Sequence, residues 1–93
     1  MSDAPTDVLL PPPDPAVMAA LLENHRQFLA FLQKRVGSRA DAEDILQDAF
    51  VRGLARAADI RDGERAVAWF YRLLRNAVVD HWRARGEFRF YRL

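Results

Sequence analysis

Between Ala66 and Arg85 the chain repeats apolar residues every three or four positions, with arginines filling the gaps. That period suits an amphipathic α-helix of about twenty residues, dry on one face and wet on the other. Val67, Phe70, Leu73, Leu74, Ala77, Val78 and His81 fall on the dry side. A helix of that length needs neighbours to cover it, and the preceding segments supply them. Met18, Leu21, Leu22, His25, Phe28, Leu29, Leu32 and Val36 recur at helical spacing and predict a first helix from Pro15 to Val36. Asp14 stands as its N-cap, Pro15 at its first position and Gly37 just past its end. His25, on this apolar stripe, is expected in the core. A second helix is predicted from Arg39 to Ala57, with Ser38 and Asp41 forming a capping-box-like start. Its inward stripe is Ala42, Ile45, Leu46, Ala49, Phe50, Gly53 and Leu54; its outward stripe is Asp41, Asp44, Gln47, Asp48, Val51, Arg52 and Ala55. No strand pattern and no internal repeat is visible. The expected fold is all-α, a compact three- to four-helix bundle.

Residues 15–86 form the expected folded domain. Residues 1–14, with four of the five prolines, read as a disordered Pro-rich tail, and residues 87–93 as a C-terminal tail. Ala58 to Arg65 reads as a polar loop, with Asp62-Gly63 as its turn signal. At about eight residues it exceeds the three- to four-residue turn of a helix-turn-helix, which disfavours a duplex-reading repressor. There is no cysteine, so disulfides and thiolate chemistry are excluded, and two histidines without one support no metal site. Neither a signal peptide nor a membrane span is evident, and the cytoplasm is the expected location. No glycine-rich phosphate loop and no activated nucleophile is recognisable, so neither catalysis, a cofactor nor a small-molecule substrate is expected.

The near-neutral net charge of +1 conceals a division. Residues 1–50 carry 4 basic against 8 acidic side chains, whereas residues 51–93 carry 10 against 5. An acidic helix beside a basic, aromatic one suggests two different partners on one small domain. At about 100° per residue, Arg65, Trp69, Arg72, Asn76, Asp80 and Arg83 share one side of the last helix, with Arg75 beside them. An aromatic ring within a cationic stripe suits an unpaired nucleic-acid strand, because arginines neutralise phosphates and the ring stacks a base. The same pattern also suits a solvated face with Trp69 tucked against a neighbouring helix. The outward stripe of the second helix, with acids around Val51 and Ala55, suits a protein-binding face as well as a dipole-favoured helix start. The 59–65 loop reads either as a pocket for one unstacked base or as a plain connector.

The runs Asp41-Ala-Glu-Asp-Ile-Leu-Gln-Asp-Ala-Phe50 and Trp69-Phe-Tyr-Arg-Leu-Leu-Arg-Asn-Ala-Val-Val-Asp-His-Trp-Arg83, in this order, resemble region two of bacterial sigma factors of the extracytoplasmic-function (ECF) group. The resemblance covers roughly residues 16–86. It implies a helical domain that docks on the β′ clamp helices of RNA polymerase and captures the melted non-template strand of the promoter −10 element. It assigns polymerase binding to Asp44, Gln47, Asp48 and Arg52. It assigns DNA binding to Ile60, Arg61, Asp62 and Gly63 in the specificity loop, and to Arg65, Trp69, Arg72, Asn76 and Arg83 on the helix. An anti-sigma factor is a further possible partner, and a protein-interaction module without DNA contact is the alternative. Sigma factors of this group carry a second domain that reads the −35 element, which nothing after Arg85 supplies; the chain reads either as an excised domain or as a short protein without duplex recognition.

Overall fold

The structure, a computed structural model, describes residues 13–86. The tails expected at residues 1–14 and 87–93 lie outside them, apart from Pro13 and Asp14. Four helices follow in order: α1 (Pro15–Glu23), α2 (His25–Val36), α3 (Arg39–Arg56) and α4 (Gly63–Ala84), with a single 3-10 turn (Ala57–Asp59) after α3. The all-α expectation holds. Two boundaries differ from the sequence expectation.

The predicted first helix is broken at Asn24 into α1 and α2. Asn24 leaves helical geometry at φ −96°, ψ 11°. Its side-chain Nδ2 donates to the Ala20 carbonyl at 2.8 Å, and its own backbone N–H reaches the same oxygen at 3.2 Å. A side chain that competes for the backbone acceptor loosens the ladder and bends the helix. The buried line keeps its period across the bend but runs along a different stripe from the one expected in α1. Val17 and Leu21 are buried in α1, while Leu22, expected inside, is 57% exposed.

The second difference lies at the start of α4, which begins at Gly63 rather than near Ala66. Asp62 is its N-cap: Oδ1 accepts from the Glu64 N–H at 2.9 Å. The same Asp-Gly pair that marks a turn in isolation here opens a helix, satisfying an orphan donor and placing carboxylate charge at the positive end of the dipole. Gly63 is small for a second reason. A Cβ there would stand 3.1 Å from the Cβ of Ala20, so α1 and α4 cross with almost no side chain between them.

The remaining termini form as the sequence indicates. Asp14 Oδ1 accepts from Ala16 N–H at 2.8 Å, and Ser38 Oγ from Asp41 N–H at 3.2 Å. Gly37 takes the left-handed conformation (φ 79°) and closes α2 on Gln33. Across the bundle, the Trp82 indole N–H donates to the Arg35 carbonyl at 3.3 Å and so occupies an acceptor at the end of α2.

Ala66, Phe70, Leu74 and Val78 supply the buried line of α4 at four-residue spacing. Phe70 sits at its centre, with ring centroids 4.6 Å from Phe28 and 4.8 Å from Phe50. Gly53 on α3 lets that ring in: a Cβ at Gly53 would lie 3.1 Å from both Phe70 Cε1 and Leu73 Cδ2. Alanine normally improves a helix interior by about 1 kcal/mol over glycine. Here Phe70 is wedged between two other rings and cannot retreat, so overpacking of about 1–3 kcal/mol prevails. Gly53→Ala is expected to lower the midpoint of urea unfolding; a raised midpoint would show that the aromatic layer yields.

Candidate functional site

The outer flank of α4 is laid down by its buried line. With Ala66, Phe70, Leu74 and Val78 inside, the helical period turns Arg65, Arg72, Asn76, Asp80 and Arg83 outward, and all five are exposed. From Arg65 to Arg83 the flank runs about 27 Å along the axis. Trp69 lies at its edge and is half-buried, packed against the core on one side and open on the other. Its position is thus intermediate between the open ring and the tucked-in ring that the sequence left as alternatives.

The corner between α3 and α4 folds back toward Trp69. The Ile60 N–H closes the 3-10 turn on the Ala57 carbonyl at 3.0 Å, and Asp62 caps α4. Asp59, Ile60, Arg61, Asp62, Arg65 and Trp69 then line one shallow cavity of about 330 Å³. The sequence points to five of these six; Asp59 enters there only as the first position of the 59–65 loop. Ile60 and the Trp69 ring give the cavity half-buried apolar walls, and two carboxylates and two guanidiniums surround them. Gly63 does not line it and is instead the contact point with α1. Arg72, Asn76 and Arg83 continue along α4 beyond the cavity.

A second surface lies on α3. Asp44, Gln47, Asp48 and Arg52 are all exposed, and Val51 among them is 68% exposed. Arg52 Nε pairs with Asp48 Oδ2 at 3.2 Å one helical turn away. With both groups more than half exposed, such a pair contributes about 0.3–0.5 kcal/mol. Gln47 also belongs to a groove of about 410 Å³ between α2 and α3, lined by His25, Leu29, Arg39, Glu43, Leu46, Gln47 and Phe50.

Besides Leu22, two more residues sit elsewhere than expected. His25 is exposed and lies stacked on Phe50, centroids 5.9 Å apart, lining the groove rather than sitting in the core. Asp41 is half-buried and faces α4 rather than the outer stripe, 3.7 Å from Arg85 Nη1 and 3.9 Å from His81 Nε2. Neither position was readable from one helix's periodicity, because each depends on which neighbour stands opposite. Among the described residues no group of three or more His, Asp or Glu side chains could hold a metal ion, and no helix is long and apolar enough to cross a membrane.

The Sigma-70 region 2 family matches residues 21–88. The chain is similar to a probable RNA polymerase sigma factor of Haemophilus influenzae, 31% identical over 62 residues that make up 67% of this chain and 32% of that protein. It is also similar to two RNA polymerase sigma factors of Bacillus subtilis. SigV is 27% identical over 75 residues, 80% of this chain and 45% of SigV; SigZ is 25% identical over 61 residues, 66% of this chain and 35% of SigZ. The chain thus spans between a third and a half of the length of these relatives. No solved structure matches it significantly.

Proposed function

Since this chain belongs to the sigma-70 region 2 family, we propose that it is a cytoplasmic, non-catalytic transcription-initiation domain that joins RNA polymerase to a melted promoter strand. In this reading α3 docks on the β′ clamp helices through Asp44, Gln47, Asp48 and Arg52. The α3–α4 corner and the outer flank of α4 hold the non-template strand of the −10 element. Ile60, Arg61, Asp62 and Trp69 receive one unstacked base. Arg65, Arg72, Asn76 and Arg83 follow the backbone. Gly63 serves the site by letting α4 start against α1. An anti-sigma factor would compete for the same α3 face.

The observation that carries the reading is the half-open Trp69 in one cavity with the corner residues and Arg65. Unstacking a base costs a few kcal/mol per step. A domain this small therefore gains little from duplex and more from bases already separated. Trp69→Ala is expected to weaken binding to −10-like single strands by about 1–3 kcal/mol, or roughly 5- to 150-fold. Fluorescence anisotropy against a panel of such strands, with a scrambled strand as control, measures it. The loss should appear at temperatures where circular dichroism shows the variant folded. An unchanged affinity would remove the stacking role.

Salt gives an independent measure. Three to five neutralised phosphates on a single strand correspond to a log–log slope of about −2 to −3.5. A flat response would remove the arginine flank from the site. The alternative, a protein-interaction module without DNA contact, draws on the α3 face and its adjoining groove. It predicts no strand affinity at any salt.

A further inference from the structure

Helix α1 is apolar almost all round: of its nine residues only Glu23 is polar. The bundle uses one side of it. Val17 and Leu21 are buried, and Ala20 stands against Gly63 of α4. The other side carries Pro15, Met18, Ala19 and Leu22, at the i, i+3, i+4, i+7 spacing of a single stripe. Met18 is half-buried, Pro15 and Ala19 are exposed, and more than half of Leu22 is open. Val51, the other large hydrophobic residue exposed among the described residues, lies on the α3 face proposed for polymerase. Leu22 belongs to neither surface proposed above. A helix that is apolar all round belongs in an interior, so this stripe needs a cover.

The chain itself brings apolar residues to the place. Residues 1–12 lie outside the described residues and join α1 through Pro13 and Asp14. They end in Val8-Leu9-Leu10-Pro11-Pro12. Each proline fixes its own φ and pushes the residue before it toward extended backbone, so this run is biased to polyproline II before any contact forms. Asp14, at φ −56° and ψ 137°, already has nearly those angles. Pro13 and Met18 hold the N′ and N4 positions of a hydrophobic staple, which sets the angle at which a chain enters its helix, and both are half-buried. The lengths agree. Four residues back from Pro13 cover about 12 Å, and Leu22 lies about 12 Å along the axis from Asp14. Leu9 then comes level with Leu22. Two residues further back, Asp7 reaches the first turn of α2. That turn has neither an acid nor a side-chain cap, and Arg26 in it is exposed and without an ion pair among the described residues. Negative charge is favoured there.

We infer that residues 8–13 run back along α1 as an extended strap, with Leu9 and Leu10 on the stripe of Pro15, Met18, Ala19 and Leu22. A second copy of the chain fits the stripe less well: a stable pair needs about 20–30 residues a side, and the stripe offers four. The strap has a consequence for the bundle. Helix α1 carries the start of α4 at Gly63, so whatever steadies α1 also steadies that start.

Thermal unfolding of the full chain, followed by circular dichroism, tests this with three variants. Leu9→Ser with Leu10→Ser alters nothing inside the bundle and is expected to lower the Tm by about 4–8 °C. Leu22→Ser, at an exposed position, should lower it by a similar amount. All three substitutions together should lower it little further than either set alone, because groups that share one contact do not add. A leucine pair that leaves the Tm unchanged overturns the inference. So does a combined variant whose fall is the sum of the two. Sedimentation supplies the second measurement. The wild-type chain is expected to be a monomer whose Tm does not vary with its concentration. A dimer that Leu22→Ser dissolves and the leucine pair leaves intact overturns the strap, making the stripe a contact between copies.

Discussion

Alanine at Phe70 is expected to lower the stability of the domain by about 3–5 kcal/mol, the cost of removing a large ring from a packed core. Phe70 is fully buried and touches rings from two other helices, Phe28 on α2 and Phe50 on α3, so the gap has little to collapse into. Domains of this size have only about 5–15 kcal/mol in total. The melting temperature should fall by roughly 15–30 °C. Phe50→Ala, at a half-buried position, should fall by clearly less. Thermal unfolding followed by circular dichroism checks both. A fall of only a few degrees at Phe70 would mean that the helices are held together somewhere other than this aromatic layer.

The second large effect concerns docking. Asp44→Arg combined with Asp48→Arg changes the α3 face by four charges without touching the core, since both carboxylates are exposed. Folding should be nearly unaffected, because surface changes of this kind fall within about 0.5 kcal/mol, and among the described residues the two carboxylates form one ion pair, the exposed Asp48–Arg52. Placing like charge against a complementary partner costs several kcal/mol. Affinity for core RNA polymerase is therefore expected to fall at least 100-fold. Single-strand affinity should stay level or rise slightly, since the substitutions add positive charge. Polymerase pull-down and strand anisotropy on one preparation separate the two. Equal loss of both would mean that the variant is misfolded. Loss of strand binding alone would exchange the roles of α3 and α4.

The parts of the fold that could be read from the sequence are those decided within one turn of chain. Asp14, Ser38 and Gly37 cap their helices because the bonds they make reach no further than four residues. The parts that could not be read depend on distant neighbours. The buried line Val17, Leu21, Phe28, Leu32, Val36 passes through Asn24 without losing its period, so periodicity cannot register the bend. Asp62-Gly63 serves a turn or a helix start equally well; Ala20, more than forty residues earlier, lies against the start that is formed. The outer flank of α4 was legible from spacing alone. The degree of burial of Trp69 was not, because it depends on how the 57–62 corner folds back.

That corner is only six residues long, and half of it is a hydrogen-bonded 3-10 turn. It joins the helix proposed to grip the enzyme to the helix proposed to grip the DNA. On that proposal the molecule would act as a gauge block. The offset between the clamp and the first captured nucleotide would be cut into the protein at synthesis, leaving the promoter to supply the right letter at a preset address.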